Sequence, residues 1–262
     1  MTTDPLRNVE PPKPEPSTGD TPAAGASKVV AARMRYIERQ ARLAPGVFDV
    51  AFEGRAPGGT GPLNRHGRPQ LPPGQRAVEN WPVLDLGDQP EVSRADWRLA
   101  VSGAVAAPRT LTYDDLLALP RTQLEVDFHC VTTWSRMDLS VSGVRLRDLL
   151  ADVAPLDEAR FVEFTGYDRQ PGTDVPYTTT LPLERAAEED VMLVVEADGE
   201  PLTRAHGGPV RVIVPRLYAW KGTKWLRAIT LLPEERLGFW ETRGYSNTAE
   251  PWFNDRYSRR AP

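Results

Sequence analysis

The string Asp127-Phe128-His129-Cys130-Val131-Thr132-Thr133-Trp134-Ser135-Arg136 holds the only thiol in the chain. A thiolate is both a nucleophile and a soft metal ligand, so Cys130 offers two chemistries. Taken alone, a single cysteine is most often a small buried apolar side chain. Leu124, Val126 and Phe128 alternate with polar residues and predict a strand that ends at His129 and Cys130. Neighbours on a strand face opposite ways, so His129 and Cys130 cannot pair as imidazole and thiolate. A thiol dyad needs His206 or His66 instead, and His129 reads as a hydrogen-bonded structural histidine.

A second group of reactive residues lies downstream. Ala205-His206-Gly207-Gly208-Pro209 predicts a turn where backbone approaches a ligand closely. Arg211 follows inside the apolar run Val210 to Val214, where a charge demands a partner from protein or ligand. Lys221-Gly222-Thr223-Lys224 adds backbone N–H groups, a hydroxyl and an ammonium, a set suited to a phosphate. Each of these residues, read singly, is equally a solvated edge residue or an internal ion-pair partner.

The elements that would position these groups are short. Strands are predicted from Trp97 to Val105, at Phe161 to Thr165, Val191 to Val195, Val210 to Val214 and Trp225 to Leu231. Helices are predicted at Thr112 to Leu119, opening on a capping-box-like Thr112-Tyr113-Asp114-Asp115, at Val144 to Val153, and at Leu183 to Glu189. Strands and helices mix without a βαβ rhythm, which predicts an α+β domain with a mixed sheet. No G-x-G-x-x-G or G-x-x-x-x-G-K-[ST] string nominates a dinucleotide or P-loop nucleotide.

Composition narrows the classes further. The 262 residues suffice for one large domain plus an extension, at about 150 residues per domain. A net charge of -4 argues against a strongly basic nucleic-acid binder. No apolar run approaches the roughly 18 residues of a membrane span. The start Met1-Thr2-Thr3-Asp4-Pro5 lacks the basic and apolar regions of a secretory signal, so the expected location is cytoplasmic. One cysteine excludes an intramolecular disulfide, and three histidines leave little for a His-rich metal site.

Proline divides the chain, with 14 of 26 falling before residue 91. Residues 1–26 carry almost no large apolar side chain and predict a disordered tail. Residues 27–76 read as a helix, with Val30, Met34, Ile37 and Ala41 at helical spacing, followed by a Gly/Pro/Arg-rich wrapping loop from 54 to 76. The folded domain is placed at 77–250 and a C-terminal tail at 251–262.

Together these strings resemble the sulfite-oxidase family of molybdenum-cofactor oxidoreductases, across about residues 77 to 245. The resemblance is carried by the cysteine string with Trp134-Ser135, by Gly143-Val144-x-Leu146, by the His206-Gly-x-Pro-x-Arg211 turn and by Lys224-Trp225, in order and spacing. It looks most like the bacterial stand-alone branch, which includes the catalytic subunit of a methionine-sulfoxide reductase. The resemblance implies a molybdenum–molybdopterin cofactor with Cys130 as the protein's metal ligand. It implies phosphate contacts from His206, Arg211, Gly222, Thr223 and Lys224, a pterin contact from Thr165, and N-terminal cofactor contacts from Asn80 and Trp81. Tyr245 matches the active-site tyrosine, and Arg136 is a candidate anion-binding side chain. The implied reaction is oxygen-atom transfer to or from a small sulfur-oxide substrate, with electrons exchanged with a separate partner. A thiol enzyme using Cys130 and His206, or a pterin-binding module without turnover, are the alternatives from other classes.

Overall fold

The computed structural model describes residues 55–258. The expected tail at 1–26 and the helix expected between 27 and 43 lie outside the described residues. Thirteen strands, three short α-helices and four 3₁₀ turns account for the regular structure in this range.

The strands form two mixed sheets and a small hairpin. β1 (Thr60–Leu63) and β2 (Pro69–Leu71) make the hairpin. The six-stranded sheet is built on β7 (Trp134–Arg145), which pairs antiparallel with β6 (Arg121–Cys130) and β10 (Met192–Ala197) and parallel with β3 (Arg76–Val78). β11 (Glu200–Pro201) and β12 (Arg211–Ile213) complete it against β10. The five-stranded sheet runs β5 (Arg109–Thr112), β4 (Arg98–Gly103), β13 (Leu226–Leu232), β8 (Phe161–Arg169), β9 (Pro176–Pro182), with only β4 and β13 parallel. Few helices and two mixed sheets make this the expected α+β fold.

The three helices are α1 (Tyr113–Leu117), α2 (Leu146–Val153) and α3 (Leu183–Ala186). α1 starts as expected: Asp115 N–H donates to Thr112 Oγ1 at 3.1 Å, and Thr112 N–H donates to the Asp115 carboxylate at 2.9 Å. α2 buries Leu146, Leu149, Leu150 and Val153 on one face. Each such side chain contributes about 1.5–3 kcal/mol on leaving water. One continuous core joins Leu99, Phe164 and Ile229 of the five-stranded sheet to Leu139, Val144, Leu193 and Val212 of the six-stranded sheet.

Several boundaries differ from expectation. Val144 and Arg145 end a twelve-residue strand, β7, which the sequence did not predict, and the helix begins only at Leu146. β9 is likewise unpredicted, and β8 runs on to Arg169, beyond the expected end at Thr165. The expected wrapping loop contains the hairpin and, at its last residue, the start of β3 in its described part. Trp252 near the C-terminus packs back on this segment, its Nε1 donating to the Pro69 carbonyl at 2.5 Å.

Candidate active site

Cys130 is the last residue of β6 and lies 6% exposed in the wall of a solvent-connected cleft with about 770 Å³ of empty space. Its Sγ stands 3.0 Å from Thr132 Oγ1. Strand alternation sends His129 the other way. Its Nδ1 lies 2.8 Å from Ser135 Oγ, its ring packs edge-on against Trp252, and burial pushes its pKa down to about 3. His129 is therefore a neutral core residue, as its place in the strand implied.

The downstream cluster reaches the same cleft. His206 ends a 3₁₀ turn (Arg204–His206), and its ring stacks on Trp81 with centroids 4.3 Å apart. Both ring nitrogens have protein partners: Nδ1 lies 2.9 Å from Thr203 Oγ1 and Nε2 lies 3.0 Å from the Trp81 carbonyl. Burial, more than any neighbour, lowers the His206 pKa. Gly207 follows at φ 96°, so close to Lys224 that a Cβ would stand 2.7 Å from the Lys224 Cβ. Only glycine lets the turn lie against that lysine.

Arg211 is 2% exposed on β12. Its Nη1 donates to the His206 carbonyl at 3.0 Å, and its guanidinium sits 5.3 Å from the Trp81 ring and 5.1 Å from the Phe128 ring. No carboxylate stands within ion-pair distance of it among the described residues. Burial lowers its pKa to about 9, which still leaves it charged at neutral pH. Lys224 Nζ donates to the Ala205 carbonyl at 2.7 Å and lies 4.0 Å from Asp85 Oδ2. Burial, then Arg211, lowers its pKa to about 7. Between Gly222 and Lys224, Thr223 is fully buried and its Oγ1 has no hydrogen-bond partner. Trp220 Nε1, also in the cleft wall, is unpartnered too.

Tyr245 is 2% exposed and completes the aromatic side of the cleft, with its ring 4.9 Å from both Trp220 and Trp240. Trp134 and Tyr177 also line it, and the Tyr177 hydroxyl donates to the Trp220 carbonyl. The structure thus gathers Trp81, Cys130, His206, Arg211, Gly222, Lys224 and Tyr245 around one cleft, with Thr223 directly behind.

Three nominated residues stand elsewhere. Asn80 is exposed and does not line the cleft. Thr165 sits on the opposite face of β8 from Asp168, paired with Ala228 and Thr178. Arg136 also stays out: it donates to the Met137 carbonyl at 2.6 Å and pairs with Asp198 at 3.4 Å. Asp168 is a cleft residue that sequence reasoning missed, as it missed Asp85 and the Trp220 and Trp240 rings. It is 4% exposed, its Oδ1 is unpartnered, and burial raises its pKa to about 7. Counting by twos from Val162 and Phe164 puts Asp168 on the buried face, the one signal that points to it.

These groups fit a phosphate-bearing cofactor with a thiophilic metal. The buried Arg211, the partly buried Lys224, an orphaned hydroxyl and an orphaned indole N–H suit an anion, while Asp168 suits the N–H edge of a heterocycle. A soft thiol stands in the same wall. No cluster of three or more His, Cys, Asp or Glu side chains among the described residues could hold a metal unaided.

A mixed-sheet α+β domain with this cleft defines a protein built to hold an anion-bearing, metal-binding cofactor. Residues 86–240 match the oxidoreductase molybdopterin-binding domain, and the chain belongs to that family. It is 38% identical over 190 residues to an uncharacterized oxidoreductase, YuiH, from Bacillus subtilis, covering 72% of this chain and 92% of that one. It is 31% identical over 204 residues to human mitochondrial sulfite oxidase, covering 66% of this chain and 37% of that protein. It is 31% identical over 157 residues to the catalytic subunit MsrP of a protein-methionine-sulfoxide reductase from Campylobacter jejuni, covering 56% of this chain and 52% of that subunit. The crystal structure of the sulfane dehydrogenase SoxCD from Paracoccus pantotrophus superposes with a TM-score of 0.52 at 26% identity, covering 58% of this chain and 42% of that one. The chain is accordingly a molybdopterin-dependent oxidoreductase of the sulfite-oxidase family, and its cofactor is molybdenum–molybdopterin.

Proposed function

We propose that this protein transfers an oxygen atom to or from a small sulfur-centred substrate and exchanges electrons with a separate partner. The observation that carries the reading is the make-up of the cleft. The described residues' one free thiol, the cations Arg211 and Lys224, and aromatic side chains with Tyr245 among them all line the same cleft. Cys130 would hold the metal, and Arg211, Thr223 and Lys224 would hold the phosphate. The bound group supplies the two-electron redox chemistry. The chain's own work is to fix that group, exclude water with Trp134, Trp220 and Trp240, and present the Tyr245 ring beside the substrate.

Arg136 lies outside the cleft, so an anionic substrate loses the counter-charge nominated for it. That favours a neutral sulfur oxide over sulfite. The thiol-enzyme alternative loses support for a separate reason: both His206 nitrogens are engaged with Thr203 and Trp81.

The test is metal and pterin analysis of the purified protein, paired with X-ray absorption at the molybdenum edge of the parent and Cys130→Ser. One protein sulfur on molybdenum in the parent, missing in the variant, is the expected result. An unchanged sulfur count removes Cys130 as the ligand. A loaded protein that turns over no sulfur oxide with an artificial electron carrier is a binding module.

A further inference from the structure

The turn that carries Cys130 is gripped from behind by two side chains outside residues 86–240. Thr133 closes the turn at φ 73°, a conformation that strains a β-branched residue, and its N–H donates to the Cys130 carbonyl at 3.1 Å. Gln75 Nε2 donates to the same carbonyl at 3.0 Å, and Arg76 N–H donates to the Thr133 carbonyl at 3.0 Å. From the other end of the chain, Arg256 Nη1 donates to the Val131 carbonyl. Its Nη2 reaches Gln75 Oε1 at 3.5 Å and its Nε donates to Asn254 Oδ1 at 2.7 Å.

Arg256 is 9% exposed, and none of the ion pairs among the described residues includes it. Its guanidinium lies 5.0 Å from the centre of the Tyr218 ring. The Tyr218 hydroxyl is buried without a hydrogen-bond partner, within electrostatic reach of both Arg256 and Cys130. Asp255, the adjacent carboxylate, opposes Arg256 at Tyr218 without reaching ion-pair distance of it. A buried cation not neutralised by direct pairing is costly to keep, and it stabilises negative charge nearby. The carbonyl it holds belongs to the residue directly after the thiol. Groups behind a metal ligand orient it and tune the metal's electronics.

We propose that Arg256 is a positioning residue for the cysteine ligand: it fixes the Cys130–Thr133 turn, and its charge draws electron density from the thiolate, raising the reduction potential of the metal bound there. The inference rests on Cys130 being the metal ligand.

The experiment is a potentiometric titration of the molybdenum electron paramagnetic resonance signal in the loaded protein. Arg256→Gln removes the charge and keeps a donor, Arg256→Lys keeps the charge, and Gln75→Leu weakens the turn without touching charge. Arg256→Gln is expected to lower the midpoint by at least a fivefold change in the one-electron reduction constant, on the scale of about 59 mV per tenfold. Arg256→Lys and Gln75→Leu are expected to stay within fivefold of the parent. A midpoint within fivefold in Arg256→Gln, or a Lys variant shifted as far as the Gln variant, overturns the proposal. Should Arg256→Gln fail to load, normal loading of Arg256→Lys supports the charge requirement and equal failure overturns it. A parent with no protein sulfur on molybdenum overturns it by a different route, by removing its premise.

Discussion

Lys221 and Glu241 form an ion pair sealed in the core, Nζ to Oε1 2.6 Å, with side chains 1% and 2% exposed. Each directly follows a tryptophan of the cleft wall, Trp220 and Trp240. Lys221 Nζ also donates to the Thr180 carbonyl at 3.0 Å, and Thr179 Oγ1 donates to Glu241 at 2.6 Å. The pair therefore ties two loops of the active-site wall to β9. Burying both charges costs roughly what their attraction returns, so the pair adds little net stability, yet removing one partner strands the other. Glu241→Ala and Lys221→Met should each cost about 3–5 kcal/mol of unfolding free energy by urea titration. The double variant Lys221→Met/Glu241→Leu should recover most of that loss. Additive losses in the double variant would mean that the two side chains act independently.

Arg211 behaves in the opposite way, because no carboxylate among the described residues stands within ion-pair distance of it. In the cofactor-free chain its charge is a liability held only by carbonyls and ring faces. Arg211→Met should leave the cofactor-free urea midpoint equal to or above that of the parent. The same change should weaken phosphopterin binding by about 1.5–3 kcal/mol, the worth of a hydrogen bond to a charged group. Lowered stability together with normal pterin occupancy would make Arg211 an ordinary structural residue.

Much of the site was legible because its strings are local. Cys130 closes an alternating strand, and Arg211 is a charge in an apolar run, so both stand out by type and position. What was hidden depends on long-range placement. Asp168 lies beyond the strand predicted to end at Thr165, and only the longer β8 carries the inward face of Val162 and Phe164 out to it. β7 was missed because the apolar spacing from Val144 onward reads as the start of a helix, and Gly143 just before it offers no side chain to continue a strand pattern. In the fold it is a crossing point, where a Cβ would stand 2.0 Å from the Leu193 carbonyl oxygen. Gln75 and Arg256 carry no motif, and only the fold brings them behind Cys130.

The affinity of the cleft for a phosphate-like dianion should fall as pH rises through about 7. Burial holds Lys224 near that value in the free protein, so above it the lysine is increasingly neutral. A bound anion favours the protonated lysine, and binding above pH 7 must then take up a proton. Asp168 loses its proton near the same pH and adds a negative charge to the same cleft, an effect of the same sign. Sulfate, a dianion throughout this range, is the probe: its binding to the cofactor-free protein, followed by calorimetry in buffers of different ionisation enthalpy between pH 6 and 8.5 (about the titration range of a group near 7), reads both the slope and the proton. Lys224→Met should flatten most of the slope. A parent affinity that stays constant or rises across this range would contradict the assignment of Lys224 to the anion.

Tyr245 should act on the substrate while leaving cofactor retention alone. Its ring is wedged against Trp220, Trp240 and Tyr257, and its backbone is held on both sides: its N–H donates to the Trp240 carbonyl at 3.1 Å and Ser258 Oγ donates to its own carbonyl at 2.8 Å. Tyr245→Phe keeps all of these contacts and removes only the hydroxyl, so fold and molybdenum content should match the parent. A phenol beside the reacting centre can donate to a substrate oxygen as charge develops on it. Losing that hydrogen bond should slow turnover by roughly ten- to a thousand-fold, since each 1.36 kcal/mol is a factor of ten. The effect should fall on kcat and kcat/KM alike, the signature of an interaction made in the transition state. Steady-state kinetics with a neutral sulfoxide and an artificial electron carrier, at matched molybdenum loading, supply the numbers. Turnover within about twofold of the parent, below the smallest loss a transition-state hydrogen bond would leave, would return Tyr245 to the role of a packing residue on the cleft rim.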